Sequence, residues 1–279
     1  MQNKRFRWKL WLLCVPGLLG FFLFYLFPFL KTFRYAFINN VFQKQFVGFD
    51  NFHKVWENQY FRLALDNTIV FSALGVTLLL ILSILLSIGL AGVAKKISVL
   101  NNAFLLPMLL PTAGVIAAWR VFFDNDVYFE LTKSGNSFII ALPIYLMYLW
   151  KNTGMNVILL TAAMTQIPSP VLEAAELEGA RGFKRFRHIT FPLILPTMFF
   201  VVILSFVNSM KIFKESFLFY GTSYPPDEVY TIQFYMNNHF QKINYENLAC
   251  ASLTVAVLLG VLIYIMYHFQ NKATKDVEL

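Results

Sequence analysis

The residues of this chain that could do chemistry are amides, hydroxyls and aromatics set inside long apolar runs. Tyr148, Trp150, Lys151, Asn152 and Asn156 fall in one run, and Asn208, Ser209 and Lys211 at the end of another. Polar groups at membrane depth are costly and mark solute pathways. Amides beside aromatic rings suit a solute that presents hydroxyls around an apolar ring face, as a sugar does. A second reading stays open for these residues: Lys151 and Asn152 can instead satisfy backbone carbonyls or a neighbouring subunit. Covalent chemistry finds no support. His53, His188, His239 and His268 fall in different loops or helix ends, without H-E-x-x-H spacing, and no G-x-x-x-x-G-K-[ST] phosphate cradle occurs. No catalytic residue and no metal site is therefore expected. Cys14 and Cys250 each lie in an apolar run, which suggests packing and no disulfide framework.

The elements that carry these residues are set by composition. Of 279 residues 58% are hydrophobic, 14% are charged and 31 are Phe. A soluble domain has roughly 25% charged residues, so this chain is too apolar to clothe a large water-facing surface. About 20 apolar residues cross a bilayer, and six segments qualify: 11–30, 68–94, 100–123, 138–163, 190–210 and 248–268. The first follows a basic N-terminus but lacks a small-residue cleavage site, so it is expected to be a retained helix. The segments hold no Asp or Glu, and several are interrupted by proline, at Pro16, Pro28, Pro107, Pro111, Pro143 and Pro196. Such breaks are tolerated in lipid where neighbouring helices or a wet cavity satisfy the freed carbonyls. A packed bundle with a functional interior is the expectation.

Cation placement sets the orientation. With a cytoplasmic N-terminus, the inside segments carry Lys4, Arg5, Arg7, Lys9, Lys95, Lys96, Arg181, Lys184, Arg185, Arg187, Lys272 and Lys275. They face only Glu173, Glu176, Glu178, Asp276 and Glu278. The net charge of +8 is then a topology signal, and no soluble basic face for nucleic acid is present. Outside, Asp50 is placed to cap a short helix with Phe52, Val55 and Trp56 on one face. Its two readings are an interfacial helix on the membrane and a wall of an extracellular vestibule. The loop 212–247 is rich in aromatics around Gly221, Pro225 and Pro226 and offers a docking surface.

The connector 168–190 is polar, basic and rich in helix formers. Pro168-Ser169-Pro170 ends the fourth span, with Ser169 as N-cap and Pro170 at the first helical position. A short helix follows through Glu178, with Val171, Leu172 and Ala175, and as an open alternative Ala174, facing a packing surface, and Gly179 suits a left-handed terminus. A second basic helix, 181–188, leads to Pro192. Taken alone, the connector's cations are also explained by anionic lipid headgroups.

Glu173-Ala174-Ala175, then Glu178-Gly179-Ala180, then Ile189 and Pro192 resemble the EAA loop of permease subunits in binding-protein-dependent ABC sugar importers, of the maltose and glycerol-phosphate permease type. Glu178 stands where Asp is usual and Phe191 where Leu is usual. The likeness extends over nearly the whole chain, as one transmembrane permease domain spanning 1–279. It implies an all-α membrane protein of the type I ABC importer permease fold, with six transmembrane helices and both termini cytoplasmic. It also implies a second permease subunit as heterodimer partner, two ATPase subunits that bind ATP and Mg, an extracellular solute-binding protein, and a bacterial or archaeal cell membrane. By the same likeness, Glu173, Ala174, Ala175 and Gly179 would sit in the ATPase cleft, and this chain would hold no cofactor of its own. A secondary transporter of small polar solutes is the alternative; it would normally use an intramembrane carboxylate as relay. A membrane enzyme would need a clustered reactive set, and a non-transporting scaffold leaves the connector unexplained.

Overall fold

A computed structural model describes residues 14–39, 42–92, 99–124, 126–133 and 135–275. Trp11 at the start of the first expected span, and the charged residues Lys4, Arg5, Arg7, Lys9, Lys95, Lys96, Asp276 and Glu278, lie outside them. The described residues are helical, apart from turns and one isolated bridge between Ile38 and Phe46. The helices are α1 (Cys14–Ala36), α2 (Asp50–Glu57), α3 (Gln59–Ala91), α4 (Val99–Leu109), α5 (Thr112–Phe123), α6 (Asp126–Thr132) and α7 (Ser137–Thr165). They continue with α8 (Ser169–Leu177), α9 (Phe191–Met210), α10 (Phe213–Tyr220), α11 (Ile232–Gln241) and α12 (Tyr245–Lys275).

Among the described residues, 4 helical stretches are long and apolar enough to cross a bilayer: Cys14–Ala36, Gln59–Ala91, Gly182–Tyr220 and Tyr245–Lys272. Counting each of two bent pairs as one span gives up to 6. The third apolar segment is one of these pairs. Pro111 has no N–H to donate and pushes Leu110 out of helical geometry, so α4 and α5 meet at 99°. The other pair, α7 and α8, bends by 73° around Pro168. Several helices outrun their apolar cores, because polar ends can leave the hydrocarbon without ending the hydrogen-bond ladder. Thus α1 runs on through Lys31 and Arg34 to Ala36.

Two π turns share one cause. Phe22–Leu26 precedes Phe27-Pro28, and Phe186–Thr190 precedes Phe191-Pro192. In each, the proline cannot donate to the carbonyl four residues back. The ladder slips by one residue, and Phe27 and Phe191 donate to Phe22 and Phe186. The expected basic helix over 181–188 is present, starting at Gly182, but does not end before the fifth span. Gly182–Arg185 and the π turn run without a stop into α9.

The chain forms two compact units. In the first, built from the described residues up to Arg62 with Tyr235–Leu258, the end of α1 leaves carbonyls without partners. Asn51 supplies the donors, its amide bonding Ala36 O (3.0 Å) and Ile38 O (2.7 Å). This turns α2 so that Asn51 and Val55 face inward while Trp56 faces outward against the edge of Phe61. The expected stripe of Phe52, Val55 and Trp56 is corrected accordingly. Asp50 is the first residue of α2 and makes no side-chain cap; Phe49 occupies the N-cap position.

In the second unit, Leu63–Phe234 with the described residues from Leu259, α7 packs against α3, α4, α5 and α9. Phe71, Val76 and Leu79 of α3, Ile116 of α5, and Ile144, Tyr145 and Tyr148 of α7 share one core. Leu160 and Met164 pack with Ile194 and Val201 of α9 in another. Arg120 of α5 closes the C-terminus of α10, its guanidinium donating to Leu218 O (2.7 Å) and Phe219 O (2.7 and 3.0 Å). A cation is well placed on those terminal carbonyls, and Gly221 at φ 67° completes the left-handed end. Arg120→Leu leaves these carbonyls to water, at a cost of roughly 1.5–3 kcal/mol for lost charge-assisted bonds. The expected result is a lower unfolding temperature for the purified protein, largely restored by Arg120→Lys only if point charge, not the planar fork, is what matters.

Candidate functional site

The polar residues of α7 and α9 face one another and form a ladder. Tyr148, fully buried, donates its hydroxyl to Ser205 O (2.7 Å). Asn156 bonds Ser205 Oγ (2.8 Å), and Asn208 reaches Asn152 Oδ1 (3.0 Å). Asn152 in turn donates to Tyr148 O (2.8 Å). Ser209 is bonded to Ser72 of α3 (2.8 Å) and to Phe206 O (2.7 Å). The structure therefore brings Tyr148, Asn152, Asn156, Asn208 and Ser209 together. Trp150 and Lys211 stand apart: the first is exposed and packs edge-on against Trp119, and the second is exposed at the end of α9. Of these bonds, Asn152 to Tyr148 O is of the kind the second reading called for. Asn152 and Asn208, half-buried, are the rungs still open to an outside partner.

Lys151 has a partner that the sequence reading assigned to an outside loop. It pairs with Glu215 of α10, whose side chain is 7% exposed against 29% for Lys151. Counting apolar residues ended the fifth span at Met210, but the helical stretch continues to Tyr220. The apolar segment 190–210 itself holds no Asp or Glu, as expected, and Glu215 stands in the helix that follows it. Removing one member of a buried pair strands the other charge. Lys151→Met or Glu215→Gln alone is expected to destabilise by roughly 3 kcal/mol, the low end of the usual range because Lys151 keeps some solvent. Thermal unfolding should show most of that loss recovered in the Lys151→Met/Glu215→Met double variant.

The connector has the local geometry its sequence called for at its end. Gly179 adopts φ 82°, Ala180 N–H bonds Ala175 O (2.8 Å) and Gly179 N–H bonds Glu176 O (3.1 Å). This pair of bonds is a Schellman motif, a stiff termination for α8. Its start differs by one residue: Pro168 is the N-cap and Ser169 the first helical residue, with no side-chain cap. Of the expected packing face, Ala175 is buried and Leu172 half-buried, but Val171 and Ala174 are exposed. Leu177 is 90% exposed and Phe183 75% exposed. Neither was singled out from sequence, though an apolar residue three after Ala174 on a short helix could have marked the same stripe. Glu173 and Glu178 are exposed beside it, and Glu176 pairs loosely with Arg181 (3.2 Å). Ile189 and Pro192 are half-buried where the connector enters α9.

Behind α8 lies an open cavity of about 1050 Å³. Ile84 and Ile88 of α3 form one side, Met164 and Ile167 another, and Leu172 and Phe186 of the connector its floor. A displacement of the connector would therefore reshape this space directly.

Proline-broken apolar helices joined by a stiff connector that exposes Leu177 and Phe183 fit a transport subunit, and the comparisons agree. The chain belongs to the family described as "Binding-protein-dependent transport system inner membrane component", whose profile matches residues 10–276. It is 31% identical to a Mycoplasma pneumoniae protein named "Probable ABC transporter permease protein MG188 homolog", over 91% of this chain and 82% of that one. It is 26% identical to the arabinooligosaccharides transport system permease protein AraP of Bacillus subtilis (91% and 85% covered). It is 23% identical to the lactose transport system permease protein LacF of Rhizobium radiobacter (92% of each). Its fold matches a chain in a bacterial ABC transporter involved in the import of the acidic polysaccharide alginate, with a TM-score of 0.80, 21% identity and 96% of each chain covered. This is a multi-pass membrane permease subunit of a binding-protein-dependent ABC transport system.

Proposed function

We propose that the chain is one of two permease subunits of an importer that carries a carbohydrate across a bacterial cell membrane, with both termini in the cytoplasm. ATP and Mg are bound and turned over by two separate ATPase subunits, and an extracellular binding protein delivers the solute. The observation that carries this reading is the connector. Val171, Ala174, Leu177 and Phe183 expose apolar surface on a segment locked by the Gly179 turn and continuous with α9. Such a surface gains nothing by facing water, and a groove on an ATPase would cover it. Glu173, Ala174, Ala175, Glu178, Gly179, Ala180, Ile189 and Pro192 transmit the stroke, and the cavity behind α8 changes shape as they move. Carbohydrate as cargo is supported by the names of the relatives, and by a second fold neighbour described in complex with an alginate pentasaccharide-bound periplasmic protein. The amides of Asn152 and Asn208 are the groups of this chain best placed to meet hydroxyls. Tyr148, Trp150, Asn156, Ser209 and Lys211 complete the proposed pathway set, with Tyr148, Asn156 and Ser209 shaping it from behind.

The six apolar segments hold no carboxylate for a proton relay, and Glu215, beyond the fifth of them, is paired with Lys151. Secondary transport therefore gains no support from the sequence or from this ion pair. The test is reconstitution of the importer, purified through a tag on this chain, with its binding protein in vesicles. Labelled oligosaccharides are expected to accumulate only with ATP and binding protein present, and the isolated chain is expected to hydrolyse no ATP. Accumulation of amino acids but no carbohydrate would overturn the cargo class, and robust turnover by the chain alone would overturn the division of labour.

A further inference from the structure

Phe37, Phe46, Phe49 and Phe52 form an aromatic knot at the end of α1. Around the Phe37 ring, Phe49 and Phe52 lie at 5.5 Å and Phe46 at 6.4 Å between centroids. Backbone pairing fixes the arrangement: Asn39 N–H donates to Gln45 O and Val47 N–H to Phe37 O, both at 2.9 Å. The knot is internally rigid, yet it turns its outer rings away from the protein. Phe46 is 78% and Phe49 73% exposed. Contiguous exposed apolar surface of this kind marks an interaction site.

The depth of the knot says what covers it. The last two turns of α1 carry Lys31 and Arg34, and cations at the end of an apolar helix extend to the headgroups. Lys31 Nζ lies 4.7 Å above the Phe27 ring one turn back, so its stem and charge cover apolar surface of α1. Phe37 follows Arg34 by three residues, about 4.5 Å of helical rise, and the chain turns there, with Phe37 N–H on Arg34 O (3.2 Å). The rings of Phe46, Phe49 and Phe52 all lie within 6.4 Å of that of Phe37. The headgroup layer is itself about 5–7 Å thick on each face, comparable with the spread of the rings, so a knot that starts three residues after Arg34 falls in or beside that layer. Aromatic side chains concentrate in that layer, and Lys44 and Lys54, both exposed beside the knot, are suited to lipid phosphates.

We propose that this knot docks into the lipid headgroup layer, lays α2 on the membrane surface and fixes the depth of α1. The occupant is lipid, and a docked binding protein or a second permease is the outcome that would displace it. The proposal does not depend on the cargo. The test places a nitroxide at Phe46→Cys and Phe49→Cys, and at Phe24→Cys in mid-α1 as a deep reference. The background is Cys14→Ser/Cys250→Ala, in the complete importer in lipid nanodiscs. At both knot positions oxygen is expected to collide with the label more often than an aqueous nickel chelate, with more chelate access than at Phe24. A chelate-dominated label would place the rings in water and overturn the proposal. Exclusion of both reagents would mean a protein cover and overturn it equally, as would shielding that arises only on adding the binding protein. Should the labelled variants fail to assemble, quenching of Phe49→Trp by brominated lipid, measured as a difference from the parent, decides the same question.

Discussion

Gly154→Leu will yield little or no assembled subunit, and even Gly154→Ala will lower its stability sharply. A Cβ built at Gly154 falls 1.6 Å from Phe104 O and 2.6 Å from its carbonyl carbon. These are backbone atoms of α4, so no rotamer change can make room. Small residues let membrane helices approach closely, and here α7 and α4 meet across a bare backbone. Overpacking costs typically 1–3 kcal/mol and occasionally more, and a clash with backbone belongs at or above the top of that range. Gly89→Ala in α3 is the control: nothing lies within 4 Å of its would-be Cβ, so it should be silent or slightly stabilising. Fluorescence-detected size-exclusion after a heat step compares the two.

Glu173→Arg and Leu177→Asp will each abolish uptake while the subunit still inserts and folds. Leu177 is 90% exposed and Glu173 is exposed, so neither contributes to packing within this chain. Surface substitutions of that kind change stability by no more than about 0.5 kcal/mol. A buried anchor at a protein interface, by contrast, is worth about 2 kcal/mol or more, roughly a 30-fold loss of affinity. The separation between normal folding and lost transport is the signature of a partner surface. Gly179→Val acts differently. It forces a β-branched residue into φ 82°, costs roughly 1–2 kcal/mol, and re-aims α8 relative to α9 through the broken Schellman turn.

Much of this was legible in the sequence, for identifiable reasons. Apolar runs report burial in lipid directly, and Gly179 announces a left-handed terminus because few other residues tolerate one. The EAA pattern marks the connector in the sequence alone. What escaped was geometry that depends on distant residues. Pro111 predicts a break, but its 99° angle comes from how α4 and α5 pack against α7. Glu215 read as a loop acid because its partner, Lys151, is 64 residues away. Trp56 read as inward because nothing local reveals that Asn51 must face the carbonyls of Ala36 and Ile38. The tyrosine and asparagine ladder was found as a set of candidates, but only the fold shows that most of its bonds are made internally.

The central claim is that the connector is gripped by an ATPase and moves with it. Cross-linking of Leu177→Cys to a cysteine in the ATPase cleft, in the intact importer, tests it most directly. Efficient cross-linking whose yield changes between nucleotide-free and ATP-bound states is the predicted result. A connector that never cross-links, in an importer that still concentrates its solute, would contradict the account.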